Sequence, residues 1–193
     1  MTSFYSEEEL KDLGLGAYGD EIYISRKCSI YSPDKIILGS HVRIDDFCIL
    51  SGNIIIHDYV HISAYVSLFA GHSKIEIESY SGISSRCAVY AESDDYSGEF
   101  MSNPMIPDKY RHIQSGKVNI GKYVVVGTGG TILPGVTIAE GASIGAMSLI
   151  NRDIAPWTIN FGIPCRKVKD RSRKLLECEE DWRNDMIMQE KRG

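Results

Sequence analysis

His72 and the adjacent acids Asp94 and Asp95, in Ala91-Glu92-Ser93-Asp94-Asp95-Tyr96, are the side chains of this sequence best suited by type to move a proton near neutral pH. A free imidazole titrates near ~6.5 and a free carboxylate near ~4, so an imidazole beside an acid is ordinary material for a general base. His57 and His61, four residues apart, are further imidazoles, but a zinc site needs three converging ligands, each held in turn by a neighbour. No Ser or Cys stands in a recognisable nucleophile setting. Cys28, Cys48, Cys87, Cys165 and Cys178 are odd in number, widely spaced and without a C-x-x-C pair. They argue against a zinc ribbon or a disulfide framework and for reduced thiols in a cytoplasm.

The backbone that would bring such groups together is written as a repeat. Branched aliphatic residues step by six through Leu38, Ile44, Leu50, Ile56, Ile62 and Leu68, then after a three-residue slip through Ile77, Ile83 and Val89. The step resumes as Ile120, Val126, Ile132, Ile138, Ile144 and Ile150. Four residues after many of these stands a second small or β-branched residue, such as Val42, Cys48, Val60, Val124 or Ala142. A period of six suits neither a helix nor an alternating strand. It suits short strands that end in corners, about 18 residues to a triangular turn, with turns stacked at about 4.8 Å. His72 falls in the slip, one turn before Asp94, so the two are expected on one corner. In the same register His57 and His61 point outward, and Cys48 and Cys87 point into the core.

Other elements flank this all-β solenoid. Ser6 with Glu9 makes a capping box for a short helix in a terminal segment spanning 1–20, ended near Gly14 and Gly16. The repeats occupy 21–168. The stretch 92–116 abandons the pulse, holds Pro104 and Pro107, and reads as a long excursion from one corner of the kind that serves binding. In 169–193, Leu175, Leu176 and Trp182 among many charges predict an amphipathic helix, expected to cap the open end of the stack. The 193 residues carry 21 basic and 26 acidic side chains, a net charge of −5, which argues against nucleic-acid binding. No apolar run approaches the ~20 residues of a membrane span. The start, Met-Thr-Ser-Phe-Tyr-Ser-Glu-Glu-Glu, lacks the layout of a secretory signal.

The segment Ile120-Gly121-Lys122-Tyr123-Val124-Val125-Val126-Gly127-Thr128-Gly129-Gly130-Thr131-Ile132-Leu133-Pro134-Gly135-Val136-Thr137-Ile138 resembles the hexapeptide-repeat acyltransferases. Ile144-Gly145-Ala146-Met147-Ser148-Leu149-Ile150-Asn151-Arg152-Asp153-Ile154 and Phe161-Gly162-Ile163-Pro164-Cys165-Arg166 continue the likeness, which covers roughly 38–170 and looks most like the galactoside and maltose O-acetyltransferase type. The resemblance implies a left-handed parallel β-helix, against the usual crossover hand. It also implies a homotrimer with active sites between subunits and no metal. Such a trimer moves an acetyl group from acetyl-CoA to a sugar or nucleotide sugar, with surface polysaccharide (O-antigen or capsule) assembly as the setting by analogy. By motif position the thioester would lie at Thr128, Gly129 and Ala146, and the pantetheine arm at Asn151 and Arg152. Pro164, Arg166 and Lys169, in the loop 164–169, would meet the adenine and its phosphates. Trp157, after Pro156, suits adenine stacking or packing between protomers.

The pattern departs at one place. In the galactoside type a histidine base stands where the excursion leaves the coil, and gapless register puts Asp94 there. Either His72 is the base, oriented by Asp94 or Asp95, or the acceptor is an amine that attacks the thioester unaided once neutral. In the second case Asp94 and Asp95 attract its ammonium form. Tyr96, Glu99, Tyr110 and Arg111 on the excursion are candidate acceptor contacts. A trimeric scaffold that has lost its base, and the zinc-dependent carbonic anhydrases that share this solenoid, are the readings from other classes.

Overall fold

Each hexad places one aliphatic side chain inward and a turn directly after it, so the chain winds rather than zigzags. The computed structural model describes residues 3–190; residues 1–2 and 191–193, the outer ends of the two expected terminal segments, lie outside the described residues. Arg43–Ile44 stacks in parallel on His61–Ile62, which stacks on Gly82–Ile83, then on Val125–Val126 and Ser143–Ile144. Ile44, Ile62, Ile83, Val126 and Ile144 therefore form one internal column, none of them more than 3% exposed. Leu50, Leu68, Val89, Ile132 and Ile150 form a second. Leu38, Ile56, Ile77, Ile120 and Ile138 form the third. The result is a three-sided parallel β-solenoid of about seven turns, whose backbone groups pair with the turns above and below.

Backbone hydrogen bonds also stack the corners. The first corner runs through His41, Tyr59, Tyr80, Tyr123, Gly141 and Trp157, and the second through Phe47, Tyr65, Arg86, Gly129 and Met147, all with positive φ. Tyr65 N–H, for example, donates to Asp46 carbonyl, Gly129 N–H to Ser85 carbonyl, and Met147 N–H to Thr128 carbonyl. A left-handed conformation strains an L-residue; the corner accommodates it because its N–H is paired and its side chain stacks on the next turn. The third corner carries the irregularities. The slip in the repeat is a bend at Gly71 within Ser67–Ile77, where the register against Ile49–Ile56 shifts. One turn later the excursion leaves and returns as an antiparallel pair, Glu92–Asp94 with Ile113–Ser115.

The capping box at Ser6 is present, and starts the helix Glu7–Asp12. The C-terminal helix, Leu175–Glu190, does not cap the stack. The last turn is covered instead by Arg166–Asp170, which turns back antiparallel on Thr158–Phe161. The helix lies along the first corner, where Trp182 stands edge-on to Tyr59 at 5.1 Å, Arg183 reaches the Tyr80 hydroxyl at 2.8 Å and Glu179 accepts from the Tyr123 hydroxyl. Trp157 is turned inward. It is 8% exposed, leans on Tyr123, and lies so close over Gly141 that a Cβ there would meet its ring at 2.4 Å. It is therefore packed within the chain rather than offered to adenine or a second protomer.

Candidate active site

Two corners carry the residues singled out in the sequence, and they are different corners. Thr128 and Ala146 are exposed on consecutive turns of the second corner. The turns approach so closely that a Cβ on Gly127 would meet the Ala146 nitrogen at 2.6 Å, and one on Gly129 (φ +71°) would meet the Met147 sulfur at 2.5 Å. Small residues are required there by stacking alone. The same edge continues past Phe161 and Gly162 to Pro164 and the antiparallel strand bearing Arg166 and Lys169, all exposed. The line from Thr128 to Lys169 thus begins at small residues and ends in cations, as an extended thioester cosubstrate with terminal phosphates would need.

Asp94, Asn151 and Arg152 stand on the third corner. A groove of about 960 Å³ opens there between the excursion's stem and the turns beside it, lined by Glu92, Asp94 and Tyr96 on one side and Thr131, Pro134 and Asn151 on the other. Asp94 is half-buried and accepts the Asn103 N–H at 3.2 Å, which leaves carboxylate lone pairs free toward the groove. Of the four expected acceptor contacts, Tyr96 alone lines this groove. Glu99 and Tyr110 are exposed farther along the excursion, and Arg111 is folded back onto Asp108.

His72 is on the third corner too, but its exposed ring makes no hydrogen bond or ion pair with either acid among the described residues. Its backbone N–H donates to Glu92 at 2.9 Å. Asp95 is committed to its own turn, accepting from the Ser97 hydroxyl at 2.8 Å and the Gly98 N–H at 3.1 Å. The Ser97 hydroxyl, more than any other contact, holds its carboxyl below the usual range. His57 and His61 point outward as expected, to Glu76 at 3.2 Å and Asp45 at 2.8 Å. His57, Glu76 and Glu78 offer ligand atoms within 4.8 Å of one another. Lys117 and Lys74 already lie on Glu76, at 2.7 and 3.0 Å, and Lys117 chiefly holds its carboxyl down to about 2. The positive charge a metal would bring is supplied by lysine.

The sequence reading missed Glu92 and the turn Ser84-Ser85-Arg86. Glu92 ties the excursion's stem to the bend: a Cβ on Gly71 (φ +58°) would meet its Oε2 at 1.9 Å. Gly71→Ala is therefore expected to displace Glu92 and to destabilise the fold by about 1–3 kcal/mol. Gly82→Ala, where nothing lies within 4 Å of the added carbon, is expected to cost less than about 1 kcal/mol. Urea midpoints of the two variants measure the difference. Ser84 and Ser85 lie one turn before Thr128, a position that hexad counting could have found by excising the excursion.

No family model matches the chain. The dTDP-4-amino-4,6-dideoxy-D-glucose acyltransferase of Escherichia coli is 44% identical over 188 residues, covering 96% of this chain and 97% of that protein. The structure of AntD, an N-acyltransferase from Bacillus cereus in complex with dTDP and 3-hydroxybutyryl-CoA, is 46% identical, covers 97% of this chain and 100% of its own, and superposes with a TM-score of 0.94. That enzyme has also been crystallised with substitutions at an aspartate numbered 94 and a serine numbered 84; this chain has aspartate and serine at the same numbers. A galactoside acetyltransferase in complex with coenzyme A, at 17% identity over 88% of this chain and 74% of that one and a TM-score of 0.54, shares the fold. With the repeat, the corner geometry and these relatives together, this chain belongs to the hexapeptide-repeat sugar acyltransferases.

Proposed function

We propose that the chain transfers an acyl group from acyl-coenzyme A to the amino group of a nucleotide-linked amino sugar, in a site assembled between protomers of a trimer. The observation that carries the reading is the groove at the excursion: it is lined by the carboxylates of Glu92 and Asp94, and among the described residues no imidazole lines it. A hydroxyl needs a base to become a nucleophile, whereas a neutral amine already carries its lone pair. The relative that is 44% identical is named for an amino sugar of this kind.

The chemistry balances without a covalent enzyme intermediate. The ammonium form of the acceptor is drawn to Asp94 and passes one proton to its carboxylate, and the neutral nitrogen attacks the thioester carbonyl. The carbon–sulfur bond then breaks, and the departing thiolate takes the second proton released from nitrogen, yielding an amide and free coenzyme A. A trimer is supported by the split of the site. Thr128 and Ala146 on the second corner and Asp94 and Asn151 on the third face away from one another within a chain, and a groove between two prisms would join them. Among the described residues no helix is long and apolar enough to cross a membrane. The five free cysteines support a reducing cytoplasm, and polysaccharide precursor synthesis is the setting that fits a nucleotide-sugar acceptor.

Thiol release from acetyl-CoA and from 3-hydroxybutyryl-CoA, measured with dTDP-4-amino-4,6-dideoxyglucose and with its 4-hydroxy counterpart, tests the reading. Release is expected with the amine and at least 100-fold less with the alcohol, whose nucleophile has no base. Equal rates for the two would defeat the amine assignment.

A further inference from the structure

Resting on the nucleotide-sugar reading above, we infer that the second corner on the N-terminal side of Thr128 is the subsite for the acceptor's nucleoside diphosphate, with Arg86 on the phosphates and the Phe47–Tyr65 pair against the base. The corner is one continuous ladder. Gly129 N–H donates to Ser85 carbonyl, Arg86 N–H to Ala64 carbonyl and Tyr65 N–H to Asp46 carbonyl. With turns about 4.8 Å apart, Arg86, Tyr65 and Phe47 stand roughly 5, 10 and 14 Å below the level of Thr128. The other direction from Thr128, through Ala146 to Arg166, is taken by the cosubstrate. An acceptor whose amine meets the thioester at this level must therefore extend toward the N-terminal turns. Its groups come in a fixed order (amino sugar, two phosphates, pentose, base), and the ladder meets them with Ser84 and Ser85, then Arg86, then Tyr65 and Phe47.

The side chains have the matching chemistry. Arg86 is exposed, and among the described residues its guanidinium has no ion pair or side-chain hydrogen bond. The other cations of this region are engaged, Lys27 by Asp46 and Arg43 by Asp45, both at 2.8 Å. These pairs also neutralise the two carboxylates that would otherwise repel a diphosphate. A free planar guanidinium binds phosphate oxygens two at a time. Phe47 and Tyr65 stack at 4.9 Å and 23° while remaining 46% and 52% exposed. On the first corner the comparable stack of Tyr59 and Tyr80 is covered by Trp182 of the C-terminal helix; on the second-corner pair the described chain sets the Lys27 ammonium, 5.2 Å from the Phe47 ring centroid, and no aromatic side chain of a helix. A half-exposed aromatic pair beside an unpaired arginine suits a flat base joined to a diphosphate.

Calorimetric titration of the full chain with dTDP, and separately with coenzyme A, tests the assignment. Arg86→Gln is expected to weaken dTDP about 10-fold or more, and Tyr65→Ala about 5-fold. Both variants should bind coenzyme A as the wild type does, which also reports that they fold. Undiminished dTDP binding in both variants overturns the subsite and leaves the amine-transfer reading standing. So does a loss of trimer with dTDP affinity per folded protomer intact, which would make the ladder a contact between copies. A wild-type protein that binds coenzyme A and no dTDP overturns the nucleotide-sugar reading itself, and the subsite with it.

Discussion

Asp94→Ala is expected to lower kcat/KM for the amino-sugar acceptor by about 10²–10³-fold while leaving acyl-CoA affinity within about 2-fold. A carboxylate about 4 Å from an ammonium at the effective dielectric of a protein surface is worth about 4 kcal/mol, enough for a loss of that size. Asp94 is half-buried at the mouth of the groove with one backbone donor on it, so its charge is neither screened as on an open surface nor consumed by a salt bridge. Asp94→Asn keeps the shape and an acceptor oxygen and loses the charge, so it is expected to recover little. The pH profile separates attraction from mere packing. The acceptor must shed a proton before it attacks, so kcat rises with pH through the bound ammonium's pKa. Asp94 stabilises the ammonium and raises that pKa, and its removal should move the rising limb to lower pH even as the rate falls. A variant that keeps more than about a third of wild-type kcat/KM, or whose limb does not move, places the proton acceptor elsewhere.

The prism was legible because its signal is local and repeated. Ile120 through Ile150 are spaced by the same step that stacks them, and all of them are buried. The outward setting of His57 and His61 and the inward setting of Cys48 and Cys87 followed from counting alone. What counting could not supply was lateral position. Trp182 was readable as the apolar face of a helix, but whether that face covers the end of the stack or its side depends on Arg166–Asp170 folding back over the last turn first. Trp157 looked available because Pro156 precedes it, and its burial depends on Gly141, one turn away. His72 and Asp94 share a corner as register predicts, yet the side chain that bridges them to the bend is Glu92, a residue of no distinctive spacing. The excursion hid Ser84, Ser85 and Arg86 by separating them in sequence from the turn of Thr128, whose Gly129 N–H donates to the Ser85 carbonyl. No count along one chain can show whether second-corner and third-corner residues meet, because the meeting proposed for them is between protomers.

The proposed shared site yields the sharpest expected result. Asp94→Ala and Ala146→Trp proteins are each expected to retain about 1% of wild-type activity or less, the first for want of its carboxylate, the second because an indole fills the exposed corner assigned to the thioester. If each site takes Asp94 from one protomer and Ala146 from its neighbour, denaturing the two together and refolding them as mixed trimers restores activity. A site is intact only when an Ala146→Trp protomer supplies the third corner and an Asp94→Ala protomer the second. Random assembly at equal amounts makes this true of about a quarter of the sites. Activity should therefore climb from near zero to about 25% of wild type, and follow the product of the two subunit fractions as their ratio is varied. A site built within one chain predicts no recovery at any ratio, because every protomer carries a defect. Ala146 is exposed at its corner, so the tryptophan is not forced into the core. A refolded Ala146→Trp protein of wild-type size and melting temperature that still fails to regain activity on mixing would show that the two corners do not serve one site.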